Sequence, residues 1–409
     1  VAQGWARECP EGTGKQLPMR VYLEPRFEAD VCYFAQGPAS YLVEVFVSIC
    51  NDDLQFVRRE GRFLARYDVT VLARARGGRQ VGGDQFRRSR WVDTYDETAR
   101  TDPCPLERVR IKMDPGEYSI VVRVQDIDSG AESEAEQKIV LPEGGEAVWF
   151  SSPKFLEGAR APGGSVTGEG RVEVRRAYGD SLPTMRVYVE LYGVGARPEP
   201  GEIIYQIDDV EGRRVAEGLC RRLGARGFGL GYAVEQPTDS LSIGLYDLRI
   251  MAKGEEKLLA AACGRFRVSA SGALWNRDFE KTLDLIGYIA TSDEMNALKR
   301  APEDGRKEAW EAFWAGRDPT PGTSRNEVRD EFFERVSYAN EHFGEPLAEG
   351  WQTDRGRVYI TEGPPDAIDS HPIELSTGAW EAWHYYRRSI TYIFVDKTGF
   401  GQYILVGTR

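Results

Sequence analysis

No stretch of this 409-residue chain approaches the roughly 18 consecutive apolar residues that a membrane-spanning helix needs, so the sequence predicts no transmembrane segment of its own. Histidine is nearly missing. The three present, His342, His371 and His384, have no second histidine or cysteine three or four residues away, and the six cysteines (Cys9, Cys32, Cys50, Cys104, Cys220, Cys263) form no Cys-x-x-Cys. Structural zinc sites of the common spacings are therefore excluded, and neither a metal nor a cofactor is expected. A surplus of basic charge is also lacking: the net charge is −12. Phosphate binding draws most of its affinity from a basic face, so a nucleic-acid partner is not expected. The sequence starts at Val1 and shows no basic, apolar, small-residue leader.

The length calls for two to four domains. From about residue 25 to 142 the apolar residues alternate, as in "YLVEVFVSIC", where Val43, Val45, Val47 and Ile49 share a face, and in "FLARYDVTVLAR". Half-buried strands follow from that period. "RGGR" at 76–79 reads as a hairpin turn. A second region, "MRVYVELY", "EIIYQI" and "YDLRIMA", repeats the alternation, and "GEYSIVVRV" and "GLYDLRI" share a Gly-x-Tyr opening. From about residue 273 the period changes to 3.6. Four helices are expected, around "DFEKTLDLIGYIA", "SDEMNALKRA", "DGRKEAWEAFWAGR" and "EVRDEFFERVSYANEHF", before strands return at "GRVYI", "AWHYY", "ITYIFVD" and "GQYILV". The expected fold is multidomain: an N-terminal extension (1–24), two tandem immunoglobulin-like antiparallel β-sandwiches (25–145 and 146–271), and an α+β domain (272–409) with a helical cluster and a small antiparallel sheet.

"GWQTDRGRVYITEGPPD", residues 350–366, resembles the signature of the GWxTD domain family, with Gly350, Trp351, Thr353 and Asp354 in the four named positions. "FWAGRDPTPGTSRNEVRDEFFERVSYANEHF" upstream, and "WEAWHYY" and "YIFVDKTGFGQYILV" downstream, are similar to the family's helical half and closing sheet, so the resemblance covers roughly 273–409. It implies β-sandwich modules ahead of a C-terminal domain in an exported bacterial protein. It implies no activity, because the family has no established reaction.

The motif reads better as an anchor than as a catalytic site. Asp354 and Arg355 would point to opposite faces of a strand, whereas Gly350 can turn the chain, Trp351 buries apolar area, Asp354 can accept turn N–H groups and Gly356 relieves crowding. No catalytic residue is nominated. "DIDSG" at 126–130 offers Asp126 and Asp128 to calcium, but a plain β-turn explains it better. Arg74, Arg76, Arg79, Arg87, Arg88 and Arg90 cluster around the 76–79 turn as a candidate docking patch. Cys220 with Cys263 is the disulfide expected if bridges form, the even cysteine count favouring export. The sequence thus points to a non-catalytic interaction protein, periplasmic or membrane-peripheral, docking as an extrinsic subunit on protein subunits of a membrane-attached complex. The alternative is an envelope hydrolase acting on peptide or glycan near Asp354, Arg355 and His384.

Overall fold

The computed structural model describes residues 16–409 except 22–23, 101–103, 145–147, 158–169, 180–181, 194–200, 256, 270–278, 320, 322–325, 346–347 and 372–377. Cys9 and the expected boundaries at 145/146 and 271/272 lie outside the described residues. The chain divides into two compact units, Val1–Thr238 with Leu245–Val268, and Asp239–Gly244 with Ser269–Arg409.

The first unit opens with a β-sandwich. One sheet runs in the order β1 (Met19–Val21), β2 (Phe27–Gly37), β3 (Ser40–Ser48), β7 (Leu106–Met113). The other joins β4 (Val57–Arg59), β5 (Arg62–Ala75), β8 (Gly116–Asp126) and β9 (Glu132–Leu141), with β6 (Gln80–Val92) on the far edge of β5. The alternation does what its period requires: Val43, Val45, Val47 and Ile49 pack in one buried core with Ala65, Tyr67, Val69 and Val71. Residues 1–24 are not all extension, because Met19 is buried in that core and β1 pairs with β2 from Met19↔Ala29 to Val21↔Phe27. A short helix, α1 (Tyr95–Thr98), links β6 to β7.

A second sandwich follows in the same unit. Its first sheet holds β10 (Trp149–Phe150), β11 (Lys154–Leu156), β13 (Thr184–Tyr192), β16 (Arg221–Arg226) and β17 (Gly229–Pro237). Its second is ordered β12 (Ala177–Tyr178), β19 (Leu258–Val268), β18 (Gly244–Lys253), β14 (Ile203–Asp209), β15 (Arg214–Leu219). β12 pairs with β19 in parallel, while β10, β11 and β17 pair with β13, β16 with β17, and β15 and β18 with β14 antiparallel. The two sandwiches are welded along a seam that periodicity did not reveal. Cys32, Phe34 and Phe46 on the outer face of β2 and β3 pack against Leu156, Val172, Val174, Tyr188 and Ala233. Two buried ion pairs flank this strip: Lys154 Nζ to Glu44 at 2.8 Å, and the Arg176 guanidinium to both oxygens of Asp30 at 2.8 and 2.6 Å.

The second unit is α+β, as expected. Helices α2 (Phe279–Ile286), α3 (Ser292–Arg300), α4 (Arg306–Ala315), α5 (Glu327–Phe343) and α6 (Asp354–Glu362) pack on a sheet ordered β20 (Ala367–His371), β21 (Ala379–Tyr385), β22 (Ile390–Asp396), β23 (Tyr403–Thr408). Trp310, Phe313 and Trp314 of α4, Phe332 and Phe333 of α5, and Trp383 and Phe394 of the sheet form one aromatic core. Asn326 caps α5, its side chain accepting from Arg329 N at 2.9 Å.

Candidate functional site

"GRVYI" is a helix, not the expected strand. Its β-branched letters suggest a strand, but Thr353 and Asp354 supply an N-cap and an acidic first turn. The Thr353 hydroxyl oxygen accepts from Gly356 N at 3.0 Å and the hydroxyl donates to Gly350 O at 2.8 Å. Val358, Tyr359 and Ile360, consecutive in α6, are all buried.

The two motif glycines are there for close approach. A Cβ on Gly350 would lie 1.8 Å from Ala339 O in α5, and one on Gly356 would lie 1.8 Å from Gly350 O. Three backbone segments therefore meet with no side chain between them. Trp351 is buried beside this contact; its N–H donates to Asn340 Oδ1 at 3.0 Å, its Nε1–H to Glu349 at 2.7 Å, and its carbonyl accepts from Tyr288 Oη at 2.9 Å.

Asp354 ties the helices to the sheet. One oxygen accepts from Leu405 N of β23 at 2.7 Å and the other from Arg357 at 3.0 Å. Arg355 lies with its guanidinium carbon 4.0 Å from the Tyr403 ring centroid and 5.3 Å from that of Phe343, with Glu381 at 3.5 Å. His384 has different partners again, Thr391 Oγ1 at 2.9 Å and Asp369 at 3.0 Å. Asp354, Arg355 and His384 share no hydrogen-bond or ion-pair partner among these contacts. The Thr391–His384–Asp369 chain has the hydroxyl–imidazole–carboxylate order of a nucleophile relay, but the Asp369 side chain is 64% exposed, so water competes for the contact that would orient the imidazole.

The arginine patch divides in two. Arg87 makes a two-pronged contact with Asp68 at 2.7 and 2.8 Å, Arg88 reaches Glu107 at 3.0 Å, and Arg90 donates to Ile49 O, Asn51 and Tyr67 Oη. These three arginines brace the edge strand β6 against the sandwich. Arg74, Arg76 and Arg79 remain around the hairpin tip, where Gly77 and Gly78 take positive φ.

The expected Cys220–Cys263 bridge does not form: Cys220 is a free thiol and Cys263 is disulfide-bonded elsewhere. Cys220 follows β15 and Cys263 lies on β19, three strand steps away in one sheet, or about 14 Å against the 7 Å limit between bridged Cα atoms. Cys50 and Cys104 are bonded instead. "DIDSG" is a turn: Asp126 accepts from the N–H groups of Asp128, Ser129 and Gln55, and Asp128 pairs with Arg66. A cavity of about 50 Å³ lined by Val31, Tyr33, Ser152, Pro153, Arg176 and Cys263 has room for water and not for a substrate.

The arrangement defines an α+β domain in which the motif at 350–356 ties helices to a sheet. Residues 276–406 match the GWxTD domain, so the chain carries a C-terminal GWxTD domain. No curated protein matches the chain. Among solved structures it is similar to the transglutaminase of red sea bream (12% identity over 59% of this chain and 31% of that one, TM-score 0.16). It is likewise similar to the β-glucuronidase of Bifidobacterium dentium complexed with coumarin-3-O-glucuronide (9%, 62% and 48%, TM-score 0.21) and to dimeric latent PorU from Porphyromonas gingivalis (11%, 63% and 20%, TM-score 0.23). The chain spans less than half the length of each. Overlap at that level carries neither fold nor activity from those proteins to this one.

Proposed function

We propose that this chain is a non-catalytic interaction protein that works outside the cytoplasm, docking as an extrinsic subunit on a membrane-attached bacterial envelope complex and stabilising it. The observation that supports this most is the use made of the motif: Thr353 and Asp354 spend their polar atoms on capping and cross-linking, which suits a scaffold. The Cys50–Cys104 disulfide and the bonded Cys263 favour an oxidising compartment.

The test is purification from native membranes under mild conditions, with stoichiometry read by mass spectrometry. Constant association with one integral membrane complex supports the reading, and a solitary monomer overturns it. A second reading, an envelope hydrolase, is favoured only by the Thr391–His384–Asp369 chain. Hydrolysis of peptide or glycan substrates that disappears in His384→Ala, with the fold intact, would establish it.

A further inference from the structure

The β22–β23 hairpin tip, Lys397–Gln402, holds a side chain that the fold does not use. Phe400 is 80% exposed, more than any other large apolar residue among those described. It is not on a loose loop. Asp396, buried at the base, accepts from Thr398 N at 3.1 Å, Thr398 Oγ1 at 3.0 Å and Gly399 N at 2.8 Å through one oxygen, and from Gly401 N at 2.7 Å through the other. Burial raises the Asp396 pKa, but the N–H of Gly401 and the other donors outweigh it and hold the carboxyl below its ordinary range. Gly399 and Gly401 take φ of +73° and +81°, so the chain turns on either side of the ring. The tip is fixed with its one aromatic group facing water, so little conformational entropy is lost when that ring is buried.

We infer that this tip is a membrane-interface anchor, with Phe400 entering the headgroup–acyl boundary of a lipid surface and Lys397 meeting anionic headgroups. Two observations favour lipid over a protein pocket. The first is area. Phe400 together with Ile404 and Val406, 41% and 47% exposed on the strand behind it, cannot cover the roughly 800 Å² per partner that a stable protein interface takes, whereas a fluid acyl boundary needs no complementary shape. The second is charge. Lys397 is exposed, so its ammonium is open to a lipid phosphate, whereas the Asp396 carboxylate of the same turn is buried at its base, where its four hydrogen-bond donors partly offset the negative charge it keeps. The inference rests on the membrane-peripheral role proposed above and names its lipid contact.

The experiment is flotation of the full chain with vesicles of equal parts phosphatidylglycerol and phosphatidylcholine, at about 0.15 M salt so that the net charge of −12 is screened beyond ~8 Å. The wild type is expected to float. Phe400→Ser should lose about tenfold in partition coefficient, the scale set by one buried aromatic side chain. Lys397→Glu should lose less, and only on these anionic vesicles, not on vesicles of phosphatidylcholine alone. Both variants should keep the wild-type melting temperature. No flotation of the wild type, or flotation unchanged in Phe400→Ser, overturns the anchor, while co-purification with a membrane complex could still hold. Loss of that co-purification in Phe400→Ser without any vesicle binding also overturns it, since the tip would then be a protein contact.

Discussion

At the scale of single residues, the motif divides into positions that need absence of atoms and positions that need particular ones. Gly350 and Gly356 belong to the first kind. A methyl group at either would strike a backbone oxygen, which cannot move aside as a flexible side chain could. Gly350→Ala and Gly356→Ala are each expected to destabilise the GWxTD domain by about 3 kcal/mol or more, seen as a fall in its denaturation midpoint. Asp354 belongs to the second kind. Asp354→Ala leaves the Leu405 N–H without its carboxylate, a cost of about 1–3 kcal/mol. Asp354→Asn should recover part of that loss, since an amide oxygen can still accept. An Asp354→Ala variant with wild-type stability would show that the contact is dispensable. A different carboxyl sets a pH dependence: burial, followed by the neighbouring Asp53, raises Asp52 from 3.8 to about 6. The native state then holds a proton that the unfolded chain has released, so this group's contribution to stability falls as pH rises from 3.8 to about 6. Asp52→Asn should therefore raise the melting temperature relative to wild type above pH 6 and lose that advantage near pH 4, which melts across that range would check.

At the scale of elements, helix ends show the local sequence in command. The α3 helix is capped by Thr291, the residue just before "SDEMNALKRA", in a capping box with Glu294. Contacts to Arg317 first, and then to the Thr291 N–H and hydroxyl, hold the Glu294 carboxyl down at about 2. Its folded pKa lies below the unfolded one, so the stabilisation is present above about 4.5 and fades as pH falls toward 2. Glu294→Gln should cost about 1 kcal/mol at pH 7 and close to nothing near pH 2, measured by denaturation at both pH values. The α6 helix shows the converse. Val358, Tyr359 and Ile360 are good strand residues, and the Thr353 cap together with burial against α5 overrides that preference.

At the scale of the larger unit, the seam between the two sandwiches governs. A lysine and an arginine are buried there, Lys154 against Glu44 and Arg176 against Asp30. Lys154→Met alone leaves Glu44 with Arg110 and Arg108 at the seam's margin and removes its buried partner, so it should destabilise the first unit by about 3 kcal/mol. The double change Lys154→Met with Glu44→Leu should be far milder, because no charge is then left buried without its partner. A double-mutant cycle on thermal or urea unfolding measures this, and additive effects would mean that the pair is not coupled.

Most of the order of elements, the change of period near residue 273 and the GWxTD signature were readable along the chain, because strand alternation, helical spacing and motif glycines are local properties; the exceptions are β1, inside the expected extension, and "GRVYI", which reads as a strand and is a helix. Pairings between distant residues were not readable in this way. Nothing near Glu44 announces Lys154, and nothing near Cys50 announces Cys104, since each contact closes a loop whose geometry is set by the sheets between. The same holds for the six arginines between Arg74 and Arg90, which look alike in sequence. Arg87, Arg88 and Arg90 of β6 meet carboxylates, a carbonyl or polar side chains of the sandwich, and Arg74, Arg76 and Arg79 sit around a turn. Sequence by itself determined which segments are strands or helices, α6 excepted, and which face of most of them is apolar, through the 2.0 and 3.6 periods of the backbone. Only the tertiary structure decided which charges are buried, which cysteines meet and that the motif's two glycines are contact points, because each depends on distances across the fold.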